Sequence, residues 1–229
     1  MTPYYQDSHV TIWHADCRDV LPTLAPVDLV LTDPPYNIGY TGYLGYQDEM
    51  PDPEYVDLLA EMERFDRKVV IDYPEQTMRY IVPALGSPGH VGAWCYNANI
   101  PRRFRLVNYY GCEPDYSRIR QPYKNPTDKR VRSLESEGSS LYEWWSDIQL
   151  VKNVSPDKKH PCPVPRRLMA RIITLCSEAG DTILDPFAGS GTTGRAAKDL
   201  GRKAILIEIE ERYAEIAAKR MSQLAMELA

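Results

Sequence analysis

The chain lacks most of what would mark a secreted, membrane-spanning or metal-clasped protein. In 229 residues no apolar run approaches the roughly 20 residues that cross a bilayer, which excludes an ordinary membrane-spanning helix. The opening Met1-Thr2-Pro3-Tyr4-Tyr5-Gln6-Asp7 has neither a basic start nor an apolar centre, so it does not read as a secretory signal. An intracellular, cytoplasmic location is the expectation. The five cysteines (Cys17, Cys95, Cys112, Cys162, Cys176) are scattered, odd in number and never spaced C-x-x-C. That pattern argues against a disulfide framework or a structural zinc site, and no metal is expected. Internal repeats and low-complexity tracts are also missing.

Positive charge is scarce overall, with 27 Lys and Arg against 32 Asp and Glu and a net charge of −5. The balance disfavours a polyanionic partner until its distribution is read, because attraction to phosphate depends on local patches. Between Tyr36 and Pro83 ten acids face four bases. Between Cys95 and Glu135 nine bases (Arg102, Arg103, Arg105, Arg118, Arg120, Lys124, Lys129, Arg130, Arg132) face four acids. One segment is basic within an acidic chain.

The length suits one α/β domain with a well-buried core and at most a small insert. Short aliphatic runs alternate with helical patterns, the rhythm of a parallel sheet covered by helices. Strands are predicted at Val10 to His14, Asp28 to Thr32, Lys68 to Asp72, Val91 to Tyr96, Thr182 to Leu184 and Ala204 to Ile207. Helices are predicted at Pro53 to Glu63, Glu75 to Leu85, Pro165 to Ser177, Thr192 to Leu200 and Glu211 to Leu228. The last carries an apolar stripe of Tyr213, Ile216, Ala217, Met221, Leu224 and Leu228 at helical spacing. From Asn97 to Lys159 prolines, charges and Gly138-Ser139-Ser140 break the rhythm, as an insert would.

Two motifs carry chemistry. Asp28-Leu29-Val30-Leu31-Thr32 is an apolar strand that runs into Asp33-Pro34-Pro35-Tyr36, so Asp33 and Tyr36 fall just past a strand's carboxyl end, where open α/β sheets bind ligands. Consecutive prolines fix φ and remove two N–H donors, which makes the turn a stiff acceptor platform. Such a platform suits a conjugated amine like N6 of adenine or N4 of cytosine, whose lone pair is delocalised into the ring. Asp33 can accept one amine hydrogen and the Pro34 carbonyl the other, with the Tyr36 ring offered to an extruded base. Taken alone, the same four residues are an ordinary strand-ending turn.

The second motif is Asp185-Pro186-Phe187-Ala188-Gly189-Ser190-Gly191-Thr192-Thr193-Gly194, between the strand Thr182-Ile183-Leu184 and a helix. Glycines admit close approach of a nucleotide-like cofactor, and free N–H groups at the helix start receive polar atoms. The loop lacks the Lys of a phosphate-binding P-loop, while Gly189-x-Gly191-x-x-Gly194 also fits a dinucleotide site. About twenty residues on, Ala204-Ile205-Leu206-Ile207 ends in Glu208, an acceptor suited to ribose hydroxyls of either cofactor.

Together these features resemble the DNA amino-methyltransferases, in the beta class, where the catalytic motif precedes the cofactor motif. The resemblance covers most of the chain. It identifies Asp33-Pro34-Pro35-Tyr36, followed by Asn37-Ile38-Gly39, with the catalytic motif, and Asp185 to Gly194 with the S-adenosylmethionine loop. His14-Ala15-Asp16-Cys17 resembles the family's Gly-Asp-Cys segment, and Glu208 with Tyr213 its ribose-binding strand and following helix. His160-Pro161-Cys162-Pro163-Val164-Pro165 resembles its His-Pro-x-x-Lys-Pro segment, with Val164 where adenine enzymes of that class usually carry Lys; an apolar residue there is reminiscent of some cytosine-N4 enzymes.

The resemblance implies a Rossmann-like methyltransferase fold of one domain, residues 1–229, with a mostly parallel sheet, helices on both faces and circularly permuted motif order. It implies S-adenosylmethionine as cofactor, held by Asp16, Cys17, Asp185, Phe187, Ala188, Gly189, Ser190, Gly191, Thr192 and Glu208. A target-recognition region is expected over residues 97–147, with Arg118, Arg120, Lys124, Lys129, Arg130 and Arg132 on DNA. Double-stranded DNA is the implied partner; a second copy of the chain and a restriction endonuclease are partners the family admits. The activity implied is transfer of methyl to adenine N6, with cytosine N4 the alternative.

Three rival readings are weaker. A cofactor-binding or DNA-occupying decoy has no use for an intact Asp33. Enzymes acting on RNA or on protein glutamine more often carry Asn before the two prolines and place the cofactor loop first. A nicotinamide dehydrogenase leaves Asp33 to Tyr36 unexplained.

Overall fold

Alternation within two short strands decides which elements cover which face of the sheet. Leu29 and Leu31 of β3 (Leu29–Thr32), with Val69 and Ile71 of β4 (Lys68–Asp72), point into one apolar cluster, while Val30 and Val70 point into another. Successive side chains of a strand face opposite sides, so a sheet whose strands are buried at every position must be covered twice. The structure, a computed structural model, describes residues 2–39, 48–97, 102–122, 138–151 and 164–223.

Among the described residues, nine strands form one sheet in the order β1-β2-β11-β10-β3-β4-β6-β5-β9. Their ranges are Tyr5–Gln6 (β1), Val10–His14 (β2), His90–Cys95 (β5), Phe104–Tyr110 (β6), Trp144–Trp145 (β9), Thr182–Asp185 (β10) and Lys203–Glu208 (β11), with β3 and β4 as given. The run β2-β11-β10-β3-β4 is parallel. Antiparallel β6 then separates β4 from β5, and β1 adds an antiparallel edge beside β2. Two further strands, β7 (Arg120–Gln121) and β8 (Ser139–Ser140), form a separate small antiparallel pair.

The first face is covered by α5 (Arg166–Cys176), α6 (Thr192–Asp199) and α7 (Glu211–Ser222). Leu168, Met169, Ile172, Ile173, Ala196, Ala197, Ala214, Ala217 and Met221 join that cluster. The second face packs α1 (Cys17–Val20), α2 (Asp52–Ala60) and a helical segment that starts as α3 (Pro74–Gln76) and ends as α4 (Val82–Leu85). Pro51 and Pro53 with Asp52 and Glu54 start α2, since proline's missing N–H costs nothing in the first turn and acids there meet the helix dipole favourably. Between α3 and α4 the chain makes a π turn, Thr77–Ile81, inside the segment expected as one plain helix. The terminal helix was expected to reach Leu228; α7 is described to Ser222, and Leu224 and Leu228 lie outside the described residues.

The segment read as an insert from Asn97 onward contains β6, which lies inside the main sheet with ladders on both sides. The sequence Phe104-Arg-Leu-Val-Asn-Tyr-Tyr110 hides this, because Arg105 and Asn108 interrupt its apolar run and yet are 4% and 0% exposed. Asn108 is accommodated by donating from Nδ2 to the Val70 carbonyl and to Thr77 Oγ1. Trp145 of β9 is equally a core residue, 1% exposed, with its indole N–H donating to the Tyr142 carbonyl and the Arg171 guanidinium 5.3 Å from its ring centroid. Trp145→Ala is expected to cost roughly 3–5 kcal/mol, because it leaves a cavity among fixed neighbours. Urea unfolding checks this; a loss below about 1 kcal/mol would show that β9 is an appendage to the core.

Candidate active site

The carboxyl ends of β2, β3, β10 and β11 open onto one cleft of about 1150 Å³, counting space open to solvent. Asp16 and Cys17 line it after β2, Asp33 to Tyr36 after β3, Asp185 and Phe187 to Ser190 after β10, and Glu208 to Glu210 after β11. Thr192 and Val164 complete the part of the wall predicted from sequence. Two motifs about 150 residues apart in sequence therefore share one cavity.

The turn after β3 is held by Asn37 and by residues from further along the chain. Asn37, directly after Tyr36, has φ of 53°, a left-handed conformation that Asn tolerates better than most residues. Its side chain exchanges two hydrogen bonds with the Met50 backbone, 2.9 and 2.6 Å, and its N–H donates to Asp48 Oδ1 at 2.8 Å. The Tyr55 hydroxyl donates to the Pro35 carbonyl. Local sequence carries no signal for these clamps beyond Asn37 itself, since Asp48, Met50 and Tyr55 arrive from further along the chain.

Asp33 accepts from the Tyr36 hydroxyl at 2.8 Å and from Arg105 Nη1 at 3.0 and 3.3 Å. Burial raises its carboxyl above the usual range, opposed by the Arg105 charge and by the hydrogen bond from Tyr36. Arg105 belongs to the basic segment of the sequence; at 4% exposure it cannot meet a phosphate and instead faces Asp33. Tyr36 is 6% exposed, with Arg105 5.0 Å from its ring centroid and Tyr73 edge-on at 4.9 Å. Tyr36 still borders the cleft, so the ring surface turned from Arg105 is the one a base can meet.

The glycine loop joins β10 to α6, the strand–loop–helix form read from sequence. Asp185 lines the cleft, but its oxygens are taken by Thr32 Oγ1 (2.7 Å), Thr193 Oγ1 (2.6 Å) and the Phe187 N–H (3.2 Å), so it braces the loop. Gly191 was expected against the cofactor. It is absent from the cleft wall and sits at φ 77° as the N-cap of α6, where a Cβ would come within 2.8 Å of the Ala217 Cβ on α7. Close helix packing is what requires glycine there. Asp16 caps α1, accepting from the Arg18 N–H at 2.9 Å and from its guanidinium. The Cys17 thiol, pushed up to about 12 by burial and the Asp16 charge, is a packing group rather than a nucleophile.

The expected DNA-facing residues divide. Lys124, Lys129, Arg130 and Arg132 lie outside the described residues. Arg118 is expected on DNA, but the structure ties it to Asp115, Glu178 and the Thr174 and Ser177 carbonyls at the end of α5. That end leads into the start of β10, so Arg118 lies at the edge of the sheet opposite Asp33. Arg120 sits two residues beyond it in β7, beside Ser140.

A profile of the DNA methylase family that unites N6 and N4 enzymes matches residues 93–219. The Type II methyltransferase M.ScaI of Streptomyces caespitosus is 30% identical over 272 residues, spanning 99% of this chain and 86% of the relative. The Type II methyltransferase M2.DpnII of Streptococcus pneumoniae is 28% identical over 251 residues, 96% of this chain and 92% of its own. Among solved structures, the M1.HpyAVI complex with S-adenosylmethionine superposes with a TM-score of 0.64 at 22% identity, over 93% of this chain and all of that one. The cytosine-N4-specific PvuII DNA methyltransferase gives 0.71 at 18% identity, over 98% and 90%. The chain belongs to the N6/N4 DNA methylase family: it is a DNA methyltransferase with the fold of that class, and S-adenosylmethionine is its cofactor.

The cleft fits that cofactor on its own evidence. Glu208 is 8% exposed, with Oε2 accepting from the Gly189 N–H at 2.7 Å and Oε1 from the Glu210 N–H at 2.9 Å, which aims the carboxyl into the cleft wall. Burial raises its pKa from 4.5 to about 7, against the pull of those two N–H donors. Folded Glu208 thus holds its proton longer than unfolded Glu208, so its ionisation costs the empty protein stability as pH rises from 4.5 to about 7. A ribose hydroxyl donating to the ionised carboxylate reverses that cost. Cofactor affinity is therefore expected to rise between about pH 6 and about pH 8, and Glu208→Gln to lose about 1.5–3 kcal/mol of binding together with this dependence. Calorimetric titration measures both; a flat wild-type profile would remove Glu208 from ribose binding.

Proposed function

We propose that this DNA methyltransferase is of the beta class and transfers a methyl group to N6 of adenine in double-stranded DNA, with Asp33, Pro34, Pro35 and Tyr36 as its catalytic residues. The observation that carries this reading is the opening of the Asp33 turn and of the glycine loop onto one cleft. A bound cofactor and an extruded base can meet there without further movement of the sheet. When bound, S-adenosylmethionine would supply a sulfonium methyl that the amine nitrogen takes, sulfur keeping the electron pair of the broken C–S bond and the methylated nitrogen giving up one of its two protons.

This chain's own groups then do the following. Asp33 and the Pro34 carbonyl accept the two amine hydrogens, which draws the nitrogen toward a tetrahedral geometry and frees its lone pair for in-line attack. Tyr36 stacks on the base through the ring surface away from Arg105. The cofactor is held by Asp16, Cys17, Phe187, Ala188, Gly189, Ser190, Thr192 and Glu208, while Asp185 and Gly191 shape the loop. Residues 97–147 outside the sheet strands recognise the target, with Lys124, Lys129, Arg130 and Arg132 on phosphates. A second copy of the chain and a restriction endonuclease are further partners that this reading admits.

A second reading, cytosine N4, is favoured by one observation. Val164 lines the cleft at 9% exposure, an apolar wall where the adenine enzymes of the resembled class usually present Lys. Incubating unmodified DNA with labelled cofactor, digesting to nucleosides and identifying the product by mass spectrometry separates the two. N6-methyladenine is expected; N4-methylcytosine would overturn the base assignment. Asp33→Ala is expected to lower transfer by about 10²–10³-fold with cofactor binding retained, the loss typical of one well-aimed polar contact. Transfer at the wild-type rate in that variant would overturn the role of Asp33.

A further inference from the structure

Arg105 and Asp33 form a buried ion pair at the reacting edge of the sheet, their side chains 5% and 13% exposed. Arg105 comes from β6, the strand that the sequence concealed, and lies beside Trp94 of β5 in the ladder. Three rings surround its guanidinium, with centroids at 5.0 Å (Tyr36), 5.1 Å (Tyr73) and 5.4 Å (Trp94). Aromatic faces attract a cation and fix where it points. A guanidinium in such a cage is placed, and its contact with Asp33 follows from that placement.

The surroundings explain why a placed cation is needed. Arg105 from β6 and Tyr36 from its own turn touch Asp33, and the charge of Asp33 is felt by Asp72 at the end of β4 and by Asp185 at the end of β10. Asp72 is 0% exposed, accepts from the Tyr73 N–H at 2.7 Å, and has a second oxygen without a hydrogen-bond partner among the described residues. Asp48, also buried, adds its charge near Asp72. Several carboxyls thus converge where desolvation already favours their neutral forms. A protonated Asp33 would turn one oxygen into a donor and blunt the acceptor that methyl transfer needs.

We propose that Arg105 is a positioning residue for methyl transfer, whose guanidinium keeps the Asp33 carboxylate ionised and oriented while the target amine binds beside it. This rests on the reading of Asp33 as the amine's acceptor. The contact leaves room for substrate. An ionised carboxylate offers about four lone-pair sites. Tyr36 and the longer Arg105 contact use Oδ1, and the shorter Arg105 contact uses one site on Oδ2. One site on Oδ2 remains for an amine hydrogen, so Arg105 need not leave when a base enters.

The sign of the effect is fixed. Burial raises the Asp33 pKa and Arg105 lowers it, so removing the cation carries it higher and the acidic limb of turnover moves to higher pH. In Arg105→Gln the limb of kcat is expected about 1–3 pH units above wild type, with activity recovering in alkali, while Arg105→Lys keeps it near the wild-type position. A limb that stays in place in Arg105→Gln, whatever the rate, would overturn the proposal. Breaking a buried pair can unfold a protein, so a second measurement uses the wild type alone. The infrared difference between wild type and Asp33→Asn, without DNA, is expected to show an ionised carboxylate at neutral pH, and a neutral carboxyl there would equally overturn the proposal. Because this signal needs no turnover, it stands or falls apart from whether Asp33 accepts an amine.

Discussion

Thr32 Oγ1 donates to Asp185 Oδ1 at 2.7 Å, and Thr193 Oγ1 donates to Asp185 Oδ2 at 2.6 Å. These two bonds join the last residue of the catalytic strand, the first residue of the cofactor loop and the first turn of α6. All three residues are buried, at 0%, 3% and 1% exposure. Burial holds the Asp185 carboxyl up at about 6, against the pull of its donors, so the junction exists only because every acceptor is matched. Much of the site's geometry follows from it. β3 and β10 are locked in register where both end, and Asp33 and Phe187 leave the junction in directions that converge on one cleft.

The same economy governs the charges. Asp33, Asp72, Asp185 and Glu208 all lie within the sheet's carboxyl edge, and burial raises each of them. Three of them are answered differently. Asp185 is met by hydroxyls, Glu208 by backbone N–H groups, and Asp33 by a guanidinium. Neutral donors suit groups that hold a loop in place, whereas a full positive charge opposes most strongly the cost of burying an ionised carboxylate.

The fold puts its irregular features where these tasks are. Asn37 in a left-handed conformation, the π turn Thr77–Ile81 and antiparallel β6 all gather near the Asp33 edge. The π turn sets Thr77 to accept from Asn108, which lets a polar residue lie in the middle of β6. β6 in turn delivers Arg105. The opposite edge of the sheet is plainer, and Arg118 there serves as a clasp for the end of α5.

Sequence alone determined what depends on neighbouring residues. The alternating or wholly apolar runs of β2, β3, β4, β10 and β11 fixed a parallel sheet covered on both faces, because strand period and burial are local properties. Asp33-Pro34-Pro35-Tyr36 and Asp185 to Gly194 were legible because rigid turns need particular residues at particular places. What required tertiary structure was every fact that joins distant segments. Composition drew Arg105 into a basic segment, and only the pairing of β6 between β4 and β5 turned it inward to Asp33. Gly191 looked like a cofactor contact, and only the approach of α7 showed it to be a packing position. A charge or a glycine has the same letter in water and in a core; its energy, and so its role, is set by what the fold brings against it.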